Sequence, residues 1–237
     1  MNDYQKVIYK KNYARWNGER REEWAESVDR YAEHMLTHVP AKHREEYLKA
    51  VGVVKRMGIV PSMRGMWTAG KALEKSNIGL YGCSYLAITK PLDFAEMMYI
   101  LMHGTGVGFN VDFPHIEKLP TIPKTLIYDH ANIITVRDSK RGWFDAMKQW
   151  AEEAFSGTIH DVDYSQIRPE GAILHTFGGR ASGPQPLIEL VQFFTETIES
   201  SRGRKLKPIE VHDVCCMIAN VVVSGGVRRS ACISLSA

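Results

Sequence analysis

The chain has 237 residues, of which 44% are hydrophobic, so it can bury a sizeable core. Its net charge of +3 argues against nucleic-acid or membrane partners, although it suits a small anionic substrate such as a nucleotide. The four cysteines lack CxxC spacing and indicate neither a disulfide framework nor a metal site. No apolar run approaches the roughly 20 residues of a spanning helix, so we expect a soluble, cytoplasmic protein.

The first part of the chain is predicted to be helical. Apolar residues recur at helical spacing within residues 20–35, and the pattern resumes at Tyr47, Val51 and Val54 in a second helix. Pro61 is predicted to end that helix. Residues 62–70, SMRGMWTAG, are then expected to form a connection.

Residues 77–89, NIGLYGCSYLAIT, are predicted to form the strand around which the chain is organised. Because strand side chains alternate, Cys83 faces away from the aliphatic side, and Gly82 beside it leaves the backbone open to a ligand or another strand. Taken alone, the segment favours a buried structural cysteine, because free cysteine is among the most buried residue types.

A buried helix is predicted from Pro91 to His103, followed by a glycine-rich turn and a strand in residues 104–111, GTGVGFNV. Glycines of this kind let a backbone approach a ligand. However, the order helix, turn, strand is the reverse of the dinucleotide-binding fingerprint. A tight turn is the simpler interpretation.

The second half of the chain is predicted to contain three helices and a final strand. The helices cover residues 141–155, 187–203 and 211–225, and Cys215 falls on the apolar stripe of the last one. The strand, residues 232–235, would leave an open sheet edge. Residues 166–186, rich in glycine and proline, form a long loop of the kind that often contributes to function.

Several segments, taken together and in order, resemble one family, the monomeric class II ribonucleotide reductases, which are adenosylcobalamin-dependent ribonucleoside-triphosphate reductases. The matching segments are YKKNYARW, PSMRGMWTAG, GCSY, HGTGVGFNV, RDSKRGW, IRPEGAILHTFGGRASGPQPL and SGGVRRSA. The resemblance implies an α/β fold, a ten-stranded barrel of which this chain has only the N-terminal part. Residues 1–60 would be a helical region, and residues 61–237 would belong to the barrel, with an insertion at 114–160.

The resemblance assigns radical chemistry to cysteines inside the barrel. One cysteine becomes a thiyl radical and removes the 3′ hydrogen of the substrate, a ribonucleoside triphosphate, while two others reduce the 2′ position and become a disulfide. Cys83 matches the member of this reducing pair on the first barrel strand. Ser62, Gly82 and Gly106 would bind substrate. Adenosylcobalamin would supply the radical, which no ordinary side chain can generate.

Several parts of that machinery are absent from the sequence. It contains no Asn-Pro-Cys motif for the radical cysteine, no second reducing cysteine and no C-terminal cysteine pair. We therefore expect the chain to be inactive alone and to need a C-terminal reductase polypeptide. That polypeptide would complete the adenosylcobalamin site. It would also supply the cysteines through which a thioredoxin-type reductant restores the thiols.

The family also binds a deoxynucleoside triphosphate effector that selects the substrate base. The resemblance places Arg168, Gly178 and Gly179 in the effector region, and Arg228 and Arg229 in a loop between effector and substrate. Guanidinium groups pair well with phosphate oxygens, although solvated loop charges are the simpler interpretation. The insertion looks shorter than in the family.

Two other functions remain open from the sequence. A catalytically silent, nucleotide-binding regulatory fragment would not need the chemistry of Cys83. A structural partner would not need the glycine-rich loops either. Nucleotide binding to the isolated chain and replacement of Cys83 by serine distinguish these functions from that of an enzyme.

Overall fold

A computed structural model of the chain describes residues 1–173, 180–224 and 231–236, with backbone alone at 223 and 224. The chain divides into two compact units, residues 1–82 and residues 83–237. The domain bounds predicted from the sequence, with a division after residue 60, stay a prediction.

The first unit consists of short helices. They are α1 (Asp3–Asn12), α2 (Trp24–Leu36), α3 (Arg44–Lys55), α4 (Met63–Thr68) and α5 (Lys71–Lys75), with 3-10 turns at Ala41–His43 and Asn77–Leu80. The two predicted helices are confirmed as α2 and α3. Helix α1 was not predicted, because Tyr4 and Val7 are exposed and Tyr9 alone is buried, so the helix has no apolar stripe.

Three local predictions in this unit are wrong. Helix α3 ends at Lys55, before Pro61, because the chain turns at Met57 with a positive φ of 61°. The expected connection at 62–70 contains α4, which begins where the Ser62 hydroxyl accepts a hydrogen bond from the amide of Gly65. The predicted strand at 77–89 is a 3-10 turn in its first four residues.

A polar network stabilises the first unit. The guanidinium of Arg30 pairs with the carboxylate of Glu22 at 2.8 Å and also donates to the carbonyl oxygens of Met66 and Ala69. Ser27 donates to the same carboxylate at 2.6 Å. Burial alone would raise the pKa of Glu22, but these hydrogen bonds outweigh it and leave that pKa lowered. The charged pair thus ties the start of α2 to α4.

The second unit contains two parallel sheets and five helices among its described residues. In chain order it comprises β1 (Cys83–Ala87), α6 (Leu92–Met102), β2 (Gly106–Asn110), α7 (Phe113–Ile116), β3 (Ile127–Thr135), α8 (Lys140–Ser156), β4 (Thr158–Asp163), α9 (Gln185–Ser200), α10 (Pro208–Ser224) and β5 (Cys232–Ser234). One sheet has the order β1-β2-β5, and the other pairs β3 with β4. The predicted helices are confirmed as α6, α8, α9 and α10, and the final strand as β5.

Aromatic side chains form the centre of this unit. The ring of Phe194 lies 4.8 Å from that of Phe94 and 5.2 Å from that of Trp150, and all three residues are at most 1% exposed. These residues come from α6, α8 and α9, so the predicted apolar stripes meet in one core. The fold is of the mixed α/β type predicted, with parallel strands. No helix in the described ranges is long and apolar enough to cross a membrane.

Candidate active site

Among the described residues, the sheet β1-β2-β5 has one face that helices cover and one face that they leave uncovered. Val107 and Phe109 of β2 are each 1% exposed, and α6 and α10 pack against the sheet. Cys83 and Tyr85 point to the other side, where Cys83 is exposed and Tyr85 is 59% exposed. The alternation predicted from the sequence for Cys83 is therefore confirmed. We call the uncovered side the thiol face.

The register of the strands places glycine beside Cys83. Cys83 pairs with Gly106 and Tyr85 with Gly108, while Gly108 also pairs with Ile233 on its other side. Paired residues in neighbouring strands share a face. The middle strand of the thiol face thus has two positions without a side chain, bordered by the thiol and ring of β1. The result is a shallow groove along β2, whose floor is backbone at Gly106 and which the side chain of Leu235 covers at Gly108.

The other substrate-binding candidates lie in the first unit. A side chain at Gly82 would meet no described atom within 4 Å, so packing does not require glycine there and the backbone is accessible. The Ser62 hydroxyl already caps α4. The structure brings Gly106 next to Cys83, whereas the roles of Ser62 and Gly82 stay predictions.

Arg168, the effector candidate within the described residues, pairs with a carboxylate. Its Nε donates to both oxygens of Asp138, at 3.0 and 2.8 Å, and both side chains are about one-third exposed. The pair lies at the solvent boundary, where an anion could displace the carboxylate. The candidates Gly178, Gly179, Arg228 and Arg229 lie outside the described residues.

The remaining cysteines are not on the thiol face. Cys215 is fully buried in α10, which confirms that it is a core residue, and burial raises its pKa well above the ordinary value. Cys232 pairs with Val107 and so shares the covered face. Cys216 is exposed on α10, where its sulfur lies 3.8 Å from Nε2 of His212. The described thiol face therefore has a single cysteine, Cys83.

Sequence reasoning missed part of the groove. Gly108 and Ile233 were not singled out, although they line the groove beside Cys83. Leu235 was also missed, and its Cδ1 lies 2.8 Å from where a Cβ on Gly108 would stand. The alternation of the segment 104–111 could have identified Gly108 as a neighbour of Gly106 on one face. Ile233 and Leu235 required the strand register, whereas Tyr85 is placed on the face of Cys83 by alternation within β1.

Three comparisons with known proteins agree with one another. The family model of the B12-dependent ribonucleotide reductase insertion domain matches residues 120–198. The adenosylcobalamin-dependent ribonucleoside-triphosphate reductase of Lactobacillus helveticus is 29% identical over 301 positions, covering 97% of this chain and 40% of the relative. Its counterpart from Lactobacillus leichmannii is 28% identical over 298 positions, with the same coverage.

A solved structure has the same fold. The crystal structure of a B12-dependent, class II ribonucleotide reductase matches with a TM-score of 0.80 and 24% identity, over 96% of this chain and 41% of that one. The chain thus spans about 40% of the length of its relatives. Since the alignments are longer than the 237 residues present here, the relatives have additional residues within the matched region. The resemblance and the fold predicted from the sequence are confirmed.

Proposed function

We propose that this chain, a relative of the class II ribonucleotide reductases, is the N-terminal part of such an enzyme and contributes a reducing thiol, Cys83. One observation supports this role most strongly. Cys83 is exposed on the uncovered face of a parallel sheet, and its neighbour in the next strand is Gly106. A sugar can therefore approach both the sulfur and the backbone of β2.

The proposed reaction replaces the 2′ hydroxyl of a ribonucleoside triphosphate by hydrogen. Two thiols together supply two electrons and two protons, the hydroxyl leaves as water, and the thiols become a disulfide. Cys83 would be one of the two thiols and would donate a proton near the leaving hydroxyl. Ser62, Gly82 and Gly106 would contact the bound nucleotide.

None of the three other cysteines in residues 1–237 is placed to be the second thiol of the pair. Cys232 lies on the covered face, Cys215 is buried, and Cys216 lies on α10 away from the thiol face. We therefore propose that a C-terminal reductase chain docks on the thiol face. It would bring the partner cysteine, the radical cysteine and the cysteines that a thioredoxin-type reductant regenerates.

Adenosylcobalamin, the cofactor of the relatives, supplies a radical when bound. Within the described ranges, no group of three or more His, Cys, Asp or Glu residues could hold a metal ion. The corrin ring of adenosylcobalamin already holds its cobalt, so the cofactor needs no such group. We assign no residue of this chain to the cofactor, which we expect to bind with the C-terminal chain. All four cysteines are free thiols, in keeping with a reducing compartment such as the cytoplasm.

We also propose that a deoxynucleoside triphosphate effector binds near Arg168. Its guanidinium would exchange the carboxylate of Asp138 for phosphate, whose oxygens also match the donor geometry of arginine. Arg228 and Arg229 would transmit the effect of effector binding to the substrate, since the resemblance places their loop between the two. Removal of Arg168 should change which base is reduced more than it changes the total rate.

Complementation of the chain tests the proposed function. We expect no ribonucleotide reduction by the chain alone, with or without adenosylcobalamin, and activity when a C-terminal chain containing the radical cysteine is added. In that mixture Cys83→Ser should abolish multiple turnover. Cys216→Ser is the matched control, since it removes another exposed thiol away from the thiol face and should leave turnover unchanged. Turnover by the chain alone, or by Cys83→Ser, would refute the proposal.

A further inference from the structure

Each set of facing residues along the groove of the thiol face defines a level, the first at Gly106 and the second at Gly108, and the second level is blocked. At the second level, where Gly108 lies between Tyr85 and Ile233, the side chain of Leu235 leans over the glycine. Its Cδ1 and Cγ would be 2.8 and 3.6 Å from a Cβ on Gly108. The backbone amide of Leu235 also donates to the carbonyl oxygen of Phe109 at 2.8 Å, which fixes the position of the residue. Leu235 thus fills the space above Gly108.

At the first level the groove is bordered by small residues. Cys83 pairs with Gly106, and Ala231, whose carbonyl oxygen accepts from the amide of Val107, lies on the far side of that glycine. We call these three residues the thiol row. Two strand spacings, about 9.5 Å, separate its outer members. The ring atoms of a sugar would stay about 3.5 Å from the outer residue on either side. About 2.5 Å then remains for the ring atoms themselves, which is enough for a five-membered ring that stands on edge.

We infer that Leu235 is a positioning residue that confines the sugar of a bound ribonucleotide to the thiol row. This inference rests on the proposed function and goes beyond it. It states that Leu235, the residue after β5, places the ligand opposite the thiol of Cys83 on β1. Tyr85 and Ile233 flank the blocked level and complete the wall.

The strand geometry explains why confinement matters. One level along the groove is two residues along a strand, or about 6.6 Å. A hydrogen bond from a thiol spans less than about 4 Å, so a sugar displaced by one level would lie out of reach of Cys83. Proton donation requires heavy atoms at hydrogen-bond distance. A ligand free to slide over Gly108 would bind without reacting.

The experiment measures how far nucleotides protect Cys83 from alkylation by iodoacetamide in the full 237-residue chain. Each of the four ribonucleoside triphosphates is tested in turn, and its binding is measured separately by calorimetry. At ten times its Kd, a bound nucleotide should slow alkylation of Cys83 in the parent chain about tenfold. In Leu235→Ala, binding should persist while protection falls below about twofold. Leu235→Met, which keeps the bulk over Gly108, should restore protection.

Leu48→Ala is the matched control. Leu48 is 55% exposed on α3 and Leu235 is 39% exposed, so both truncations remove a partly exposed leucine without emptying the core. Protection should be unchanged in Leu48→Ala. Full protection in Leu235→Ala, or loss of protection in Leu235→Met equal to that in Leu235→Ala, would overturn the inference alone. If none of the four nucleotides binds the parent chain, the measurement is made in its complex with the C-terminal chain, and absence of binding there would refute the proposed function and the inference with it.

Discussion

The two faces of the sheet β1-β2-β5 are made by the same strands and have different tasks. On the covered face, Val107 and Phe109 are almost completely buried. On the thiol face, Cys83 and Ile233 are exposed and the intervening positions of β2 are glycines. Neighbouring residues of β2 therefore have different roles: Val107 stabilises the fold on one face, whereas Gly106, one residue earlier, leaves room for a ligand on the other. Substitutions on the two faces should have separable effects.

The largest effect is expected on the covered face, from Phe109→Ala. Removal of this fully buried ring leaves a cavity, and we expect a loss of about 4 kcal/mol in the free energy of unfolding. Urea denaturation followed by tryptophan fluorescence measures the loss, since Trp150 lies in the same core. In the folded Phe109→Ala chain, Cys83 should still react with the alkylating reagent.

Ile233→Ala is the counterpart on the thiol face. Ile233 is 61% exposed, so its truncation should change the free energy of unfolding by no more than about 0.5 kcal/mol. The same denaturation experiment applies. Equal destabilisation by the two substitutions would mean that the thiol face is packed, and the contrast between the faces would be lost.

A smaller effect concerns the cysteines of α10. Burial raises the pKa of Cys216, and nearby Cys232 and Asp213 raise it further, so fewer Cys216 thiolates exist near neutral pH than for an ordinary thiol. Its alkylation rate should therefore keep rising severalfold between about pH 8 and pH 9.5. Cys215, which is fully buried, should stay unlabelled in the native chain.

Mass spectrometry of the labelled peptides follows each thiol separately. Labelling of Cys83 in the same samples proves that the reagent is active. A Cys216 rate that levels off below about pH 8 would contradict the direction of the pKa change. Labelling of native Cys215 at the rate of Cys83 would instead mean that α10 does not seal the covered face.

Local patterns in the sequence predict much of this arrangement. The helices α6, α8, α9 and α10 each have an apolar stripe that meets the core, and the side of the strand on which Cys83 lies follows from alternation alone. The pair β3-β4 was missed, because its residues Ile127 and Ile133 are more than half exposed and show no regular alternation. When the apolar residues of a strand are exposed, their spacing in the sequence shows no regular period from which the strand can be predicted.

The candidate site was only partly predictable for a different reason. Cys83 and Gly106 were identified through motifs, but their pairing depends on the register of two strands separated by α6. Leu235 is more than a hundred residues from Gly108 along the chain, and nothing local connects them. Non-local register of this kind becomes visible only in the folded chain.

A single-turnover reaction tests the central claim most directly. The chain is mixed with a complementing C-terminal chain whose C-terminal cysteine pair is replaced by serine, so that no other dithiol can re-reduce Cys83. Adenosylcobalamin and a ribonucleoside triphosphate are added without any external reductant, and the disulfides are then mapped by mass spectrometry. We predict about one deoxyribonucleotide per complex, with Cys83 in a disulfide to a cysteine of the C-terminal chain, because two thiols supply the two electrons of one reduction. Formation of the same amount of product while Cys83 remains a free thiol would contradict the account.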